Sequence, residues 1–572
     1  MEELSPHNRS VRRLRRLLYT ERRIIWLILF YAMLNGIIVL TLPLGIQAII
    51  NYIMGGRVSS SWVILIFVVS GGLVLSGLIQ IAQMTMTERL QQRIFTKSSF
   101  ELAVRIPRIK LESIHNRYAP EMVNQFFDTV TLQKGMTKLL VDYPTSLLQI
   151  TFGLVLISIY HPFFMIFSVS VVLLIYLLFK FTGPQGIKTS LNESTSKYEV
   201  AHWLEELART MGTFKLAGKT NLPLLRIDKL ILSYLAFRNK HFSILIVQYK
   251  AMVAFKVVVV AALLVMGSLL LIANEISIGQ FVAAEIIIIL IMNSLEKLIV
   301  GLETVYDTLT SVEKLGALTD MPLENANNTK PVYPENQYGF GVSIDNLRFR
   351  YPKTSSLVID QFSLKIAPGE KLVLSGLPGS GKSTLMQLLL GLYDDYEGLI
   401  SYNGLSLSTL RQDVLRKEIG DNIWQEHIFK GTLRENLTLG DPKITDADIM
   451  KAAEILGLDE QFSLLPNGLD TQLFPGGVKL PRTIAKKLIV VRAIVGHLRM
   501  LLLDLETDFL KTYEKEKFLR HIFQQPWSVL VASNSEEIMK RADRVVFMEN
   551  GHMVFQGDYA TFKDTDYAQS IR

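Results

Sequence analysis

The sequence predicts a two-part protein, in which a bundle of membrane-spanning α-helices is followed by an α/β domain. Six long apolar stretches lie within the first 310 of its 572 residues. Hydrophobic residues make up 49% of the chain and the mean hydropathy is +0.28, which is too apolar for an ordinary soluble protein. From Val342 onward, short apolar strand patterns alternate with helical ones, as is typical of an α/β domain.

The apolar stretches are long enough to cross a bilayer, since most approach the ~20 residues that a spanning helix needs. They lie at about 24–50, 62–82, 143–160, 163–181, 252–273 and 278–301. The first is too long for the apolar core of a signal peptide and has no small-residue cleavage site after it. We therefore expect it to remain as a membrane anchor, with the lipid bilayer as the first partner of this chain.

The basic residues predict the orientation of the helices. The net charge is +7, and arginines precede the first apolar stretch at Arg9, Arg12, Arg13, Arg15, Arg16, Arg22 and Arg23. Such a cluster is compatible with nucleic acid or anionic lipid, but the positive-inside rule accounts for it more simply and places the N-terminus in the cytoplasm. No nucleic-acid partner is expected. The short connectors around Arg57, His161 and Glu275 hold almost no other Lys or Arg, which predicts that they lie outside.

Composition also predicts the domain boundaries. The long connectors 85–142 and 182–250 are polar and basic with helical apolar spacing, so we expect helices that project into the cytoplasm. Around 321–340 the chain becomes rich in Asn, Pro, Glu and Tyr, which predicts a linker. The predicted parts are a basic segment 1–23, a membrane domain 24–320, the linker 321–340 and an α/β domain 341–572. The absence of Cys excludes disulfides and thiol catalysis.

One ionisable residue inside the predicted spans is singled out. Glu285 lies within the sixth apolar stretch, and a carboxylate in a bilayer is costly unless it faces a cavity or a partner. A position near the interface, or a pairing within the bundle, is an equally good reading of this residue.

A phosphate-binding loop is predicted near the start of the α/β domain. The pattern G-x-x-x-x-G-K-[ST] is matched by Gly376, Leu377, Pro378, Gly379, Ser380, Gly381, Lys382 and Ser383, with Thr384 following. The apolar run 371–375 predicts a strand before it, and 385–390 predicts a helix after it. In this context backbone N–H groups face the phosphates, Lys382 reaches the β- and γ-phosphates and Ser383 can ligate Mg²⁺. ATP and Mg²⁺ are the predicted ligands, whereas the alternative is a purely structural Gly-rich turn.

Six spans, a linker and this domain resemble an ABC half-transporter of the exporter type, and the resemblance covers essentially the whole chain. It implies that Tyr351 stacks on adenine, that Gln425 contacts Mg²⁺ and that Asp504, ending the apolar run 501–504, holds Mg²⁺. Ser383, Gln425 and Asp504 are then the expected metal ligands. The resemblance also implies coupling helices near 111–122 and 204–213.

Two positions and one segment depart from the family pattern. The family has a catalytic Glu where this chain has Leu505, and a switch His where it has Ser533. Glu506 is adjacent to the first position, but one residue along a strand points a side chain to the opposite face. The family signature Leu-Ser-Gly-Gly-Gln aligns with Leu480, Pro481, Arg482, Thr483 and Ile484, which retains neither glycine nor the serine. No residue is assigned as catalytic, and slow or absent ATP hydrolysis is expected.

Two functions follow from these matches and departures. The first is an ATP-binding subunit of an ABC exporter with low intrinsic ATPase activity, paired with a second half-transporter as a heterodimer or homodimer. It would lie in a bacterial plasma (inner) membrane with its nucleotide-binding domain in the cytoplasm, and a periplasmic adaptor is a further candidate partner. The second is a pseudo-ATPase that serves as an ATP-binding membrane scaffold or sensor.

Overall fold

The computed structural model describes residues 6–55, 60–115, 119–324, 339–423 and 428–571. The chain divides into two compact units. The first comprises Met1–Pro107 and Arg117–Met321, and the second comprises Arg108–Asn116 and Pro322–Arg572. The short segment 108–116, which lies within the predicted membrane domain, therefore groups with the second unit.

Helices account for most of the described residues in the first part of the chain. The helices are α1 Pro6–Thr20, α2 Arg22–Val39, α3 Thr41–Met54, α4 Ser60–Arg105, α5 Leu111–Ile114, α6 Ala119–Asn124, α7 Asp128–Thr137, α8 Tyr143–Tyr160, α9 Pro162–Arg209, α10 Met211–Leu216, α11 Leu222–Ile272, α12 Ile278–Val300 and α13 Leu302–Thr319. A single π-helical turn, Lys138–Asp142, joins α7 to α8. The predicted helical extensions appear as continuations of α4, α9 and α11, and all of these helices except α5 belong to the first unit.

Five helical stretches in the described residues are long and apolar enough to cross a membrane: Arg22–Met54, Ser60–Arg108, Met122–Tyr160, Leu222–Ile272 and Ile278–Thr319. They contain five of the six predicted spans. The remaining predicted span, 163–181, falls at the start of α9, where a shorter apolar helical stretch covers Pro162–Leu177. Many large apolar side chains on these helices are exposed in the isolated chain, as expected of surfaces that meet lipid or another subunit.

Polar contacts inside the bundle join neighbouring helices. Ser76 Oγ donates to Asn35 Oδ1 at 2.6 Å between α4 and α2, and Lys256 Nζ lies 3.2 Å from Glu296 Oε2 between α11 and α12. Glu285 is half-buried on α12. Glu296, rather than the carboxylate that the sequence singled out, therefore forms the ion pair with Lys256.

The second unit contains the α/β domain. Its strands are β1 Val342–Phe349, β2 Ile359–Ile366, β3 Lys371–Gly376, β4 Glu397–Tyr402, β5 Leu405–Ser406, β6 Ile419–Asp421, β7 Gly431–Thr432, β8 Gln472–Leu473, β9 Met500–Asp504, β10 Ser528–Ala532, β11 Arg544–Glu549 and β12 His552–Gly557. Its further helices are α14 Lys382–Leu389, α15 Gln412–Leu415, α16 Leu433–Thr438, α17 Asp446–Ile455, α18 Asp459–Ser463, α19 Arg482–Ile494, α20 Thr512–Gln524, α21 Glu536–Met539, α22 Tyr559–Phe562 and α23 Asp566–Ser570.

A six-stranded sheet with the order β12-β11-β3-β10-β9-β6 forms the centre of this unit, and only β12 runs antiparallel to its neighbour. An antiparallel sheet with the order β2-β1-β4-β5 packs beside it. Strands β3, β9 and β10 are nearly continuous apolar runs because helices cover the parallel sheet on both faces. Two buried apolar clusters occupy those faces.

Strand register brings the predicted site residues to one edge of the central sheet. Ala532 pairs with Leu374 of β3 and with Asp504 of β9, so these parallel strands end at nearly the same level. Ligands of open α/β sheets bind in the crevice beyond the carboxyl ends of such strands. Asp504 is the last residue of β9, and the phosphate loop, Leu505 and Ser533 follow the ends of the three strands.

The segment 108–116 is paired with the chain at 322–324 within the second unit. Ile109 and Leu323 form an antiparallel bridge, with Lys110 N–H donating to Pro322 O at 3.0 Å and Glu324 N–H donating to Arg108 O at 2.8 Å. Arg416 holds the Glu324 carboxylate at 2.9 Å. Most of the predicted linker, 325–338, lies outside the described residues.

Candidate nucleotide-binding site

The phosphate loop requires glycine at two positions. Gly376 has φ +151°, and a Cβ there would lie 2.3 Å from the carbonyl oxygen of Met548. Gly381 has φ +103°, and a Cβ there would lie 3.0 Å from the carbonyl oxygen of Val358. Only glycine adopts these conformations without strain. The predicted strand and helix on either side are confirmed, with the helix beginning at Lys382, three residues earlier than expected.

The helix that follows the loop presents an uncapped N-terminus to it. The first N–H groups of any α-helix have no intrahelical partner. Gly381, the N-cap residue of α14, has no side chain that could accept a hydrogen bond from them. Lys382 Nζ folds over the loop and donates to Gly376 O at 2.7 Å, to Leu377 O at 2.9 Å and to Ser380 Oγ at 3.2 Å. Free N–H groups, the helix dipole and an ammonium group together fit a bound phosphate.

Asp504 and Ser383 lie beside the loop as a pair. Ser383 Oγ donates to Asp504 Oδ2 at 3.3 Å. Burial raises the pKa of Asp504, which the Ser383 hydrogen bond and the charge of Lys382 oppose, and burial lowers the pKa of Lys382. The Asp504 carboxylate and the Lys382 ammonium are therefore both partly desolvated, and each stabilises the charged form of the other.

These two oxygen ligands fit Mg²⁺ bound together with phosphates. Within the described parts of the chain, no three His, Cys, Asp or Glu side chains converge to form a metal site made by protein alone. Mg²⁺ is typically held by one or two carboxylates plus substrate phosphates, as this pair would allow. Gln425, the third predicted ligand, lies outside the described residues.

Tyr351 is tied to the loop and has one ring face covered. Its hydroxyl lies 2.9 Å from Thr384 Oγ1 and donates to Gln387 Oε1 at 3.3 Å. The imidazole of His115, from the segment 108–116, stacks on its ring with centroids 5.1 Å apart and an interplanar angle of 10°. Sequence reasoning did not find His115, and the stacking of Tyr351 on adenine stays a prediction.

Leu505 is committed to the core. It is 3% exposed and belongs to the same buried apolar cluster as Leu503 and Val531. Its backbone N–H donates to Ala532 O at 3.0 Å, so the strand pairing continues one residue beyond Asp504. Any polar group at this position would have to leave the cluster before it could reach the phosphate loop.

Glu506 points the other way, as predicted. Its side chain is 78% exposed and lies 3.7 Å from Lys486 Nζ. Together with Asp504 and Arg482 it lines a cavity of about 470 Å³. The structure thus places Glu506, rather than residue 505, in open space next to Asp504.

Ser533 is used in a local turn. Its N–H donates to Leu374 O at 3.1 Å, and its Oγ accepts from the N–H of Ser535 at 3.2 Å. The next residue supports the phosphate loop instead. Asn534 Oδ1 accepts from Ser375 Oγ at 2.9 Å and from Gly376 N–H at 3.2 Å, and its Nδ2 donates to Gly376 O at 3.2 Å.

A second amide holds Asp504 in the same way. Asn422 Nδ2 donates to the backbone oxygen of Asp504 at 2.9 Å, and its Oδ1 accepts from the Asp504 N–H at 2.8 Å. Sequence reasoning missed both Asn422 and Asn534. Their position was the available signal, because each residue lies one or two positions after the end of a strand of the central sheet.

The segment aligned with the signature forms the start of α19. The helix begins at Arg482 with Pro481 at the N-cap, where it supplies no capping side chain. The glycine-rich residues before it form a separate 3₁₀ turn, Pro475–Gly477. Lys487 and Glu514, which are 6% and 2% exposed, form an ion pair of 2.7 Å that anchors α19 to α20.

This arrangement defines a membrane protein with a P-loop nucleotide-binding domain. Residues 25–295 match the family described as the ABC transporter transmembrane region, and residues 359–507 match the family described as ABC transporter. The chain therefore belongs to the ABC transporters, with the fused membrane and nucleotide-binding domains of an exporter half-transporter.

Known proteins agree with this assignment. The leukotoxin export ATP-binding protein of Aggregatibacter actinomycetemcomitans is 27% identical over 58% of this chain and 47% of its own length. The exotoxin translocation ATP-binding protein of Pasteurella aerogenes is 28% identical over 51% of this chain and 41% of its own length. The chain spans about half the length of these relatives. A bacterial Atm1-family ABC exporter with ATP bound has the same fold, with a TM-score of 0.82 at 17% identity over 96% of this chain and 97% of that one.

Proposed function

We propose that this chain is an ATP-binding subunit of an exporter that has low intrinsic ATPase activity and works with a second ABC half-transporter. The observation that carries the proposal is the contrast at one sheet edge. Lys382, Ser383 and Asp504 form a site suited to Mg-ATP, whereas Leu505 is buried in the core beside them. The chain belongs in a bacterial inner membrane with its nucleotide-binding domain in the cytoplasm.

The residues of the chain would divide the work of nucleotide binding. The N–H groups at the start of α14 and the ammonium of Lys382 bind the phosphates, while Tyr351 stacks on the base. Mg²⁺, when bound by Ser383, Asp504 and Gln425, supplies positive charge that neutralises the β- and γ-phosphates. Asn422 and Asn534 hold the backbone of Asp504 and Gly376 in place.

Hydrolysis would be slow because no described side chain of the phosphate loop can act as the general base that the family Glu provides. General-base assistance is worth on the order of 10² to 10⁴ in rate. Glu506 is the nearest exposed carboxylate on the chain after Asp504, but it is directed toward Lys486. Slow turnover in one subunit is compatible with transport when a partner subunit contributes a second nucleotide site.

The cargo is a substrate moved outward from the cytoplasm. The relatives are named for export or translocation of a leukotoxin and an exotoxin, which makes a polypeptide the first cargo class to test. A periplasmic adaptor would be required if that cargo also crosses an outer membrane.

A pseudo-ATPase scaffold is the second candidate, favoured by the N-cap of α19. Pro481 offers neither a hydroxyl nor an N–H group where the family signature has serine. A nucleotide bound across a dimer would lose these contacts, and ATP would then hold the complex together without turnover.

Steady-state phosphate release from the full chain in nanodiscs tests the proposal. We expect the parent to release phosphate barely above background, and Leu505→Glu alone to recover little, since catalytic groups that act as a unit are strongly non-additive. A variant repaired at all positions completes the series: Leu505→Glu, Ser533→His, Pro481→Ser, Arg482→Gly, Thr483→Gly and Ile484→Gln. Fast turnover by the parent, abolished by Lys382→Ala, would contradict low activity and make Glu506 the candidate base.

Native purification separates the two candidate functions. Recovery with an ABC subunit that has an intact catalytic Glu and signature supports the exporter. Recovery as a homodimer that binds ATP but transports nothing supports the scaffold.

A further inference from the structure

The first unit contains a basic cavity beneath the N-terminal helix α1, remote in sequence from the phosphate loop. Its volume is about 420 Å³. Five of its lining side chains are cationic and three are acidic, so it carries an excess of positive charge. Buried apolar residues from α4, α7 and α13, such as Ile94, Leu132 and Val312, form its floor.

Ion pairs hold α1 in place over this cavity. Arg13 binds Glu313 and Asp320 of α13, each at 2.7 Å. Leu14 and Leu18 of the same helix pack against buried apolar clusters of the bundle. The roof of the cavity is therefore a fixed part of the fold rather than a loose terminus.

Two cations in the cavity are left for a ligand. Among the described residues, Arg16 has no ion-pair partner and Lys97 makes a single, long hydrogen bond of 3.4 Å to Thr20 Oγ1. Arg93, by contrast, is paired with Glu21 at 3.2 Å. Arg16 and Lys97 line the same space and can approach one anionic group together.

The cavity lies at the start of the first apolar membrane helix. Thr20 and Glu21 line it and directly precede Arg22, where the first apolar membrane helix begins. On its other side α1 borders a mostly apolar groove of about 360 Å³ that includes Leu18, Ile25 and Trp26. Trp26 is 70% exposed, as is typical of aromatic side chains at a membrane interface.

We propose that the basic cavity binds the phosphate headgroup of an anionic phospholipid, with Arg16 and Lys97 as its contacts. Basic pockets at the cytoplasmic ends of membrane helices bind such headgroups. The apolar groove beside α1 accommodates the adjoining acyl chain. The arginine cluster thus has a specific ligand in addition to its role in orienting the first membrane helix.

Lipid retention by the full chain tests this site. The protein is reconstituted in vesicles of equal parts phosphatidylcholine and phosphatidylglycerol, re-extracted in detergent and assayed for bound lipid by mass spectrometry. We expect the parent to be enriched in phosphatidylglycerol and the double variant Arg16→Gln/Lys97→Gln to lose that enrichment by roughly tenfold. Arg12→Gln/Arg89→Gln is the matched control, because it removes the same charge from positions on the same two helices that do not line the cavity.

Two further measurements make the outcome decisive. ATP binding at the parental affinity shows that each variant is folded. Equal enrichment in the cavity variant and the matched control overturns the proposal. Binding of inorganic phosphate to the lipid-free protein that is lost in the cavity variant, without any preference for phosphatidylglycerol, also overturns it and assigns the cavity to a soluble anion.

Discussion

The phosphate loop and the positions that would hydrolyse its nucleotide lie at the same edge of one sheet, yet they are built differently. The loop is polar and has uncapped N–H groups, and the amide of Asn534 supports it directly. The amide of Asn422 holds the neighbouring Asp504. Leu505 is instead part of the apolar core, and Ser533 is occupied in a turn. Binding and catalysis can therefore be lost separately, because neighbouring residues at the same strand ends, such as Asp504 and Leu505, are packed differently.

The largest expected effect is on stability, and it concerns Leu505. We expect Leu505→Glu to lower the free energy of unfolding of the nucleotide-binding domain by about 3 to 5 kcal/mol, because it places an unpaired carboxylate in an apolar cluster. Leu505→Met should cost about 1 kcal/mol. Thermal unfolding in nanodiscs measures both. If the Glu variant is as stable as the parent, the side chain at 505 can turn toward the nucleotide and the contrast fails.

Removing the loop ammonium should have the next largest effect. Lys382→Ala is expected to weaken ATP binding about 100-fold, or about 2.7 kcal/mol, because charge-assisted contacts to phosphate are lost. Isothermal titration measures the affinity, and Lys365→Ala, an exposed lysine on β2, serves as the control. Unchanged affinity in the Lys382 variant would show that nucleotide binds elsewhere.

The amide that supports the loop should matter more than the switch position. Asn534→Ala removes three hydrogen bonds to Ser375 and Gly376, and we expect it to weaken ATP binding about fivefold, or about 1 kcal/mol. Ser533→Ala should change the affinity less than about twofold, because its hydroxyl serves a local turn. Titration of both variants decides the order. A larger effect at Ser533 would mean that its hydroxyl reaches the nucleotide.

An effect smaller than that of Asn534→Ala is expected next to the adenine position. His115→Ala should tighten ATP binding about threefold, since aromatic contacts are worth about 0.5 to 1.5 kcal/mol and the imidazole covers one face of Tyr351. Ser113→Ala, in the same segment, is the control. Weaker binding in the His115 variant would instead make the imidazole part of the base site.

Sequence alone predicted the elements with a strong local signature. The glycines of the phosphate loop, the apolar strands around it and five of the membrane helices follow from spacing and composition. The outward direction of Glu506 follows from strand alternation. These features depend on neighbouring residues, so a local pattern is sufficient to find them.

What sequence could not supply depends on residues that are distant in the chain. Asn422 reaches Asp504 across two paired strands, and His115 reaches Tyr351 from a segment that precedes it by more than 200 positions. Glu296, rather than Glu285, pairs with Lys256 because helix packing selects one face of α12. Side-chain type and spacing do not encode such partners.

The bridge between Ile109 and Leu323 can form only at a late point in the synthesis of the membrane domain. Its two sides are roughly 200 residues apart, and closing so long a loop has an entropic cost that must be met before the contact forms. During synthesis, the segment at 109 leaves the ribosome long before residue 323 exists. The segment at 109 therefore acquires its pairing partner only after the intervening helices have been synthesised, so this junction forms only once more than half of the chain exists.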